Sequence, residues 1–170
     1  MLTQERAREL FEYHEDGYLT WKEDRGVNKT KGQAAGWYND KGYYHIFADS
    51  ERIRGHVAVF LFHHGYIPKS IDHRDRNPSN NRIENLRPAT VNQQAQNQRS
   101  REGSSSVYKG VSYHKAKGNW RAYIQTDKKL KYLGSFDCEC DAAQVYNFEA
   151  AELHGEFAVL NEHPDNLKTA

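Results

Sequence analysis

Cysteine is nearly absent from this chain: there are two among 170 residues, Cys138 and Cys140, one position apart. Two thiols are too few for a four-ligand zinc site, and that spacing is too close for an easy disulfide, so a reduced, cytosolic setting is expected. Long hydrophobic runs are also missing. None approaches the roughly 20 residues that cross a bilayer, and the N-terminus lacks the basic and apolar regions of a signal peptide. A soluble intracellular chain is the expectation. Net charge is almost nil as well, 24 basic against 23 acidic residues, so the bulk value announces no nucleic-acid partner.

What the chain does hold is aromatic mass and a local basic excess. Eleven Tyr, seven Phe and three Trp accompany a hydrophobic fraction of only 37%, which points to small aromatic-rich cores rather than one thick core. Between Arg99 and Lys131, Lys and Arg recur while the only acids are Glu102 and Asp127. The average hides that run.

Thr3 followed by Gln4, Glu5 and Arg6 reads as a capped helix start, and Leu2, Leu10, Phe11 and Tyr13 can share its face. Tyr18 to Trp21 has strand character, Gly32 to Ile46 reads as short strands and turns, and Val57 to Phe62 is an apolar helical stretch before Gly65 and Pro68. From Ile71 to Arg87 the chain turns to Asp, Asn and Arg, and a Gln-rich helix is expected from Thr90 to Gln98. Residues 99–106, with Gly103 and three serines, have linker composition. Beyond it, Tyr108 to His114, Trp120 to Thr126 and Leu130 to Phe136 are strand-like, with turns at Lys117-Gly118-Asn119 and Asp127-Lys128; Asp141 to Leu153 is helical. The expected fold class is therefore α+β: a domain over 1–98, a linker over 99–106, a three-stranded antiparallel sheet on one helix over 107–161, and a tail over 162–170.

The densest chemistry runs from Ile71-Asp72-His73 through Asn80-Asn81-Arg82 to Asn85-Leu86-Arg87. Taken alone, Asp72-His73 reads as a surface turn in which the asparagines satisfy turn geometry. The whole stretch, with Tyr18 to Trp21, Gly36, Gly42-Tyr43 and His56 upstream, resembles the ββα-metal core of phage-type HNH endonucleases over nearly all of residues 1–98. The resemblance implies a nuclease that hydrolyses DNA with a divalent cation, Mg²⁺ or Mn²⁺. Asp72 is then a metal ligand, His73 the base that takes a proton from water, and Asn85 the residue that ties the strand pair to the next helix and orients the histidine. Neighbouring strand residues point to opposite faces, so Asp72 and His73 serve one phosphate only if a loop or twist brings them round.

The third signature position is normally Asn or His and supplies the second metal ligand. Here it is Gln94, whose carbonyl can coordinate a hard cation but whose extra methylene moves the oxygen and adds a rotamer to freeze. His56 matches by resemblance only, as a residue that binds phosphate or packs beneath the site.

Residues 107–161 resemble the APETALA-type, ethylene-response-factor DNA-binding domain through Tyr108 to Val111, Trp120 to Ala122, Tyr132 to Asp137, Ala142-Ala143, Tyr146, Ala150-Ala151 and Gly155 to Asn161. In such domains the open face of the sheet enters the major groove. Alternation leaves Arg121, Tyr123 and Gln125 toward DNA; strand one offers Lys109, Ser112 and His114, and strand three Tyr132 with Lys131 at its edge, while Trp120 and Tyr146 read as core.

Three functions are weighed. One is a homing-type endodeoxyribonuclease of a bacteriophage, acting in the host-cell cytoplasm as a monomer or homodimer on double-stranded DNA. Another is a DNA-binding regulator whose nuclease core is impaired by Gln94. RNA cleavage is a third, weaker option.

Overall fold

Thr3 starts the first helix. Its hydroxyl oxygen accepts the Arg6 N–H at 3.2 Å, satisfying a donor that no helix carbonyl can reach. Helix α1 (Gln4–Leu10) buries Ala7 and Leu10 and passes directly into β1 (Phe11–His14), which pairs antiparallel with β2 (Tyr18–Trp21). Gly17, between them, has φ +88°, and a Cβ there would lie 2.3 Å from the Arg82 nitrogen. Glycine is required twice over, by the dihedral and by the backbone of 81–82 that runs against it.

The computed structural model of the chain describes residues 1–27, 29–40, 42–98, 103–126 and 129–162. Part of the expected linker, residues 99–102, the Asp127-Lys128 turn and the tail from 163 onward lie outside the described residues.

Strands β3 (Gly36–Tyr38), β4 (Tyr44–Ala48) and β5 (Glu51–Arg54) form an antiparallel sheet in that order. Alternation sends Tyr44, Ile46, Ala48 and Ile53 into the core. Helix α2 (Gly55–His64) follows β5 without a loop and adds Ala58, Val59, Phe60 and Leu61 to that core. Its last turn is completed from α1: Gln4 Nε2 donates to the Phe62 and His63 carbonyls at 3.1 and 3.2 Å, and Arg8 Nε to Phe62 at 3.1 Å. Gly65, at φ 78°, closes the helix in the left-handed conformation. Fully buried Phe11, Leu19, Ile46 and Phe60 each contribute about 1.5–3 kcal/mol of transfer free energy. Against this frame, β6 (Ile71–His73) pairs antiparallel with β7 (Leu86–Pro88), with a 3₁₀ turn over Ile83–Asn85 before β7. Tyr13 fixes that turn by accepting the Ile83 N–H at 3.1 Å.

After Thr90 come α3 (Val91–Gln96), β8 (Val111–His114), β9 (Asn119–Gln125), β10 (Leu130–Phe136), α4 (Glu139–His154) and a 3₁₀ turn over Gly155–Phe157. The sheet order is β10-β9-β8, all antiparallel. Val111, Ala122 and Ile124 face Ala142, Ala143, Tyr146 and Ala150 of α4, whose small side chains let helix and sheet approach closely. Burial of the Tyr146 phenol pushes its pKa up to about 12. Asn161 ties the chain after α4 to the start of the sheet, accepting the Lys109 N–H at 2.7 Å and donating to its carbonyl at 3.0 Å.

The chain is thus mixed helix and sheet, built on small antiparallel sheets. The chain divides into two compact units, Met1–Thr90 and Val91–Ala170. Helix α3 is held by the second unit: Lys109 Nζ donates to the Gln96 carbonyl, and α3 packs on the turn over Gly155–Phe157. Cys138 and Cys140 are joined as a disulfide, against the expectation of free thiols. Extended backbone at Cys138, the residue before α4, sets their Cα atoms 5.4 Å apart, inside the bridging range of about 4.4–6.8 Å.

Candidate active site

The loop from β6 to β7 is shaped by amides closing on one carboxylate. Asn85 Nδ2 donates to Asp75 Oδ1 at 2.9 Å and to the Asn80 carbonyl at 2.7 Å, while its Oδ1 accepts the Asp75 N–H at 3.0 Å. Asp75 also accepts from the Asn77 N–H at 2.8 Å and from Asn80 Nδ2 at 2.7 Å. Burial opposes its charge, but these hydrogen bonds and the field of His73 prevail and hold the carboxyl below the usual range. Asn85 is therefore the brace of this loop.

A partner of the His73 ring is Asn81, which the sequence reading did not single out. Asn81 is 1% exposed, and its Oδ1 lies 3.0 Å from His73 Nε2. A carbonyl oxygen only accepts, so Nε2 carries the hydrogen and the lone pair of the neutral ring sits on Nδ1. Asn81 Nδ2 is buried with no hydrogen-bond partner, an arrangement that costs folding free energy. The ring of His56, on the first turn of α2, meets the His73 ring edge-on at 5.3 Å and 81°. Burial first, then the positive charge of His73, Arg54 and His45, pushes the His56 pKa down to about 4.

Asp72 is 8% exposed, and Arg87 holds it through two contacts to Oδ2, Nε at 3.0 Å and Nη2 at 2.9 Å. The register places Asp72 opposite Arg87 and His73 opposite Leu86. Consecutive strand residues keep their divergence: Asp72 turns to Arg87, and His73 to Asn81 and His56. Gln94 lies on α3 in the second unit, half-buried. Among the described residues, His, Cys, Asp and Glu side chains converge in threes only at Cys138, Cys140 and Asp141, and there the sulfurs are bonded to each other.

In the second unit, Ser112 stands opposite Arg121, and His114 opposite Asn119, on the face away from α4. Arg121 is flanked on its other side by Ser135, and the Tyr123 and Tyr132 rings meet at 5.3 Å on the same face. Arg121 Nε, His114 Nδ1 and Asn119 Oδ1 are buried without a hydrogen-bond partner. Gln125 is exposed near the end of β9, and Lys109 precedes β8 as an anchor for α3. Lys131 departs from the expected set: it pairs in register with inward-facing Ile124, and its Nζ forms an ion pair with Glu149 of α4. A bulge between Tyr132 and Gly134 resets the alternation beyond it.

Comparison with known proteins gives this geometry a family. Residues 54–96, which run from the start of α2 through β6 and β7 to the end of α3, match the family model described as HNH endonuclease. An uncharacterized HNH endonuclease of Acanthamoeba polyphaga mimivirus is 35% identical over 129 residues, 74% of this chain and 66% of that protein. Protein 3.8 of Escherichia phage T7 is 35% identical over 107 residues, 62% of this chain and 88% of that one. The APETALA2-like protein 2 of rice is 34% identical over 86 residues, 48% of this chain and only 19% of its own length. With the family model seated on the segment that carries Asp72, His73, Asn85 and Gln94, and most of the phage protein covered, the chain belongs to the HNH endonuclease family.

Proposed function

We propose that the protein is a metal-dependent endodeoxyribonuclease of the homing type, which nicks or cuts double-stranded DNA at a preferred site. The observation that carries this reading is the anchoring of His73 Nε2 by the buried oxygen of Asn81, which leaves Nδ1 as the basic nitrogen inside the segment that matches the family. His73 Nδ1 takes a proton from the attacking water, and the imidazolium that forms keeps its Nε2–H on Asn81. Asn85 keeps the loop over 74–80 in shape beneath it.

Asp72 and Gln94 offer a carboxylate and an amide carbonyl, hard oxygen donors that fit Mg²⁺ or Mn²⁺ and not a thiolate-bound zinc. When bound, such a cation neutralises charge on the scissile phosphate and the leaving oxygen. The Arg87 contacts fix the Asp72 carboxylate in one orientation.

The open face of the β8–β9–β10 sheet holds the duplex through Ser112, His114, Arg121, Tyr123, Gln125 and Tyr132, with Lys109 at its margin. Similarity to an APETALA2-like protein and the orphaned polar atoms of Arg121 and His114 support it. The viral origin of two relatives supports action within an infected cell. The protein acts there as a monomer or homodimer.

The second reading, a DNA-binding regulator with an impaired core, is favoured by the divergence of Asp72 from His73 on β6, by the Arg87 contacts to Asp72 Oδ2 and by Gln94. Supercoiled plasmid with Mg²⁺ or Mn²⁺ separates the two. Nicking that disappears in Asp72→Ala and His73→Ala establishes the nuclease, whereas DNA that shifts on a gel but stays uncut overturns it.

A further inference from the structure

The β3–β4–β5 sheet has an outer face that neither the core nor the β6–β7 site uses. Register gathers five side chains on it: Trp37 lies opposite His45, His45 opposite Arg54, and Phe47 opposite Arg52. Trp37 and Phe47 are each 46% exposed, a large apolar area to leave in water. The Arg52 guanidinium lies 5.7 Å from the centre of the Trp37 ring, and its Nε donates to His45 Nδ1 at 3.4 Å. Neither Arg52 nor Arg54 meets a carboxylate among the described residues. The acid of β5, Glu51, stands beside Ala48 on the other face and pairs with the N-terminal amine at 3.0 Å.

This face is positively charged and continuous with the candidate active site. Burial, then Arg52 and Arg54, lower the pKa of His45. Arg54 directly precedes α2, and Arg54 and His45 both act on His56, whose ring edges that of His73. The occupant therefore has to be anionic, offer flat or apolar surface between its charges, and extend from His73. A second copy docking face to face would set arginines against arginines.

We propose that this outer face binds the DNA strand beside the scissile phosphate. Arg52 and Arg54 contact backbone phosphates, while Trp37 and Phe47 pack on the deoxyribose and base edges between them. The inference rests on the nuclease reading for its partner, but its test does not depend on cleavage.

The measurement is anisotropy of a labelled duplex against salt concentration, with the full chain carrying His73→Ala so that the DNA stays intact. Losing two phosphate contacts lowers the slope of log K against log salt by about 1.8, at roughly 0.9 per contact. The Arg52→Ala, Arg54→Ala double variant should show that drop with affinity reduced about tenfold or more, and Trp37→Ala should weaken binding with the slope unchanged. Arg52→Lys with Arg54→Lys should restore most of the slope. In the unaltered chain, duplex DNA should shield both arginines from phenylglyoxal, which keeps the proposal testable if the double variant does not fold. An unchanged slope in a folded double variant, an absence of shielding, or a changed sedimentation mass with unchanged DNA binding would each overturn it. A slope that falls as expected in a protein that never cuts DNA sinks the nuclease reading and leaves this one standing.

Discussion

If Asn81 sets the tautomer of His73, then replacing it with aspartate should move the pH dependence of cleavage, and replacing it with alanine should lower the rate without unfolding the protein. The bond between Asn81 Oδ1 and His73 Nε2 is 3.0 Å long and part-buried. A neutral bond of this kind contributes about 0.5–1.5 kcal/mol net, and the orphaned Nδ2 costs about 1–3 kcal/mol. Asn81→Ala removes both, so apart from the small cavity and the His73 Nε2–H left without this acceptor, the two terms offset to within about 2.5 kcal/mol. Catalysis has no such offset. A positioned base contributes about 10²–10⁴-fold, so loss of its tautomer should reduce kcat about 100-fold or more.

Asn81→Asp places a negative charge against the ring, and an opposite charge at this range moves a pKa by about 1–3 units. For histidine the move is upward, because the charged form gains. Since His73 must be neutral to accept a proton, the acid limb of the kcat/KM profile should shift to higher pH by at least about one unit, with the plateau rate largely retained. The assay is single-turnover plasmid nicking from about pH 5 to 9, alongside thermal melting of the same samples. A folded Asn81→Asp protein whose acid limb stays in place refutes the assignment.

Arg87→Ala withdraws both guanidinium contacts from the buried Asp72 carboxylate and should cost about 3 kcal/mol or more, read as a lower denaturant midpoint; a loss near zero would mean the pair adds nothing to stability. His56 has its pKa depressed to about 4 against an ordinary value of about 6.5, so the unfolded chain binds the proton first as pH falls. Its contribution is intact above about pH 6.5 and is lost as pH falls toward 4, at up to about 1.4 kcal/mol per unit. His56→Asn should flatten the acid side of a melting-temperature profile, and equal slopes would refute the burial argument. Gln94→Asn should raise metal-dependent cleavage without altering DNA affinity. An unchanged rate removes the account of that position.

Elements were legible where a local signal and a tertiary need agreed. The Thr3 cap, the strand from Tyr18 to Trp21 and the strand from Leu130 to Phe136 lie where composition put them. The expected strand from Tyr108 begins later, at Val111, because Gly110 turns at φ 76° beneath the Tyr146 ring, a contact between residues far apart in sequence. The helix expected over Val57 to Phe62 runs from Gly55 to His64, since Gln4 and Arg8 complete its last turn from another helix. In the site, Asp72, His73, Asn85 and Gln94 were singled out by their resemblance to the family motif. That Asn81 rather than Asn80 or Asn85 would meet the imidazole was not readable, because three asparagines in one loop are chemically equivalent until the loop closes.

The order of residues alone determined the periodicities, the turn chemistry and the segment that carries Asp72 and His73, because these depend on neighbours within a few positions. Tertiary structure decided which charges meet. Arg87 against Asp72, Lys131 against Glu149 and the sulfurs of Cys138 and Cys140 are matters of register, of the side of a sheet and of the conformation of one residue. The outer face with Trp37, Phe47, Arg52 and Arg54 likewise exists only once three strands pair, since side-chain direction in a strand is fixed by which face the core claims.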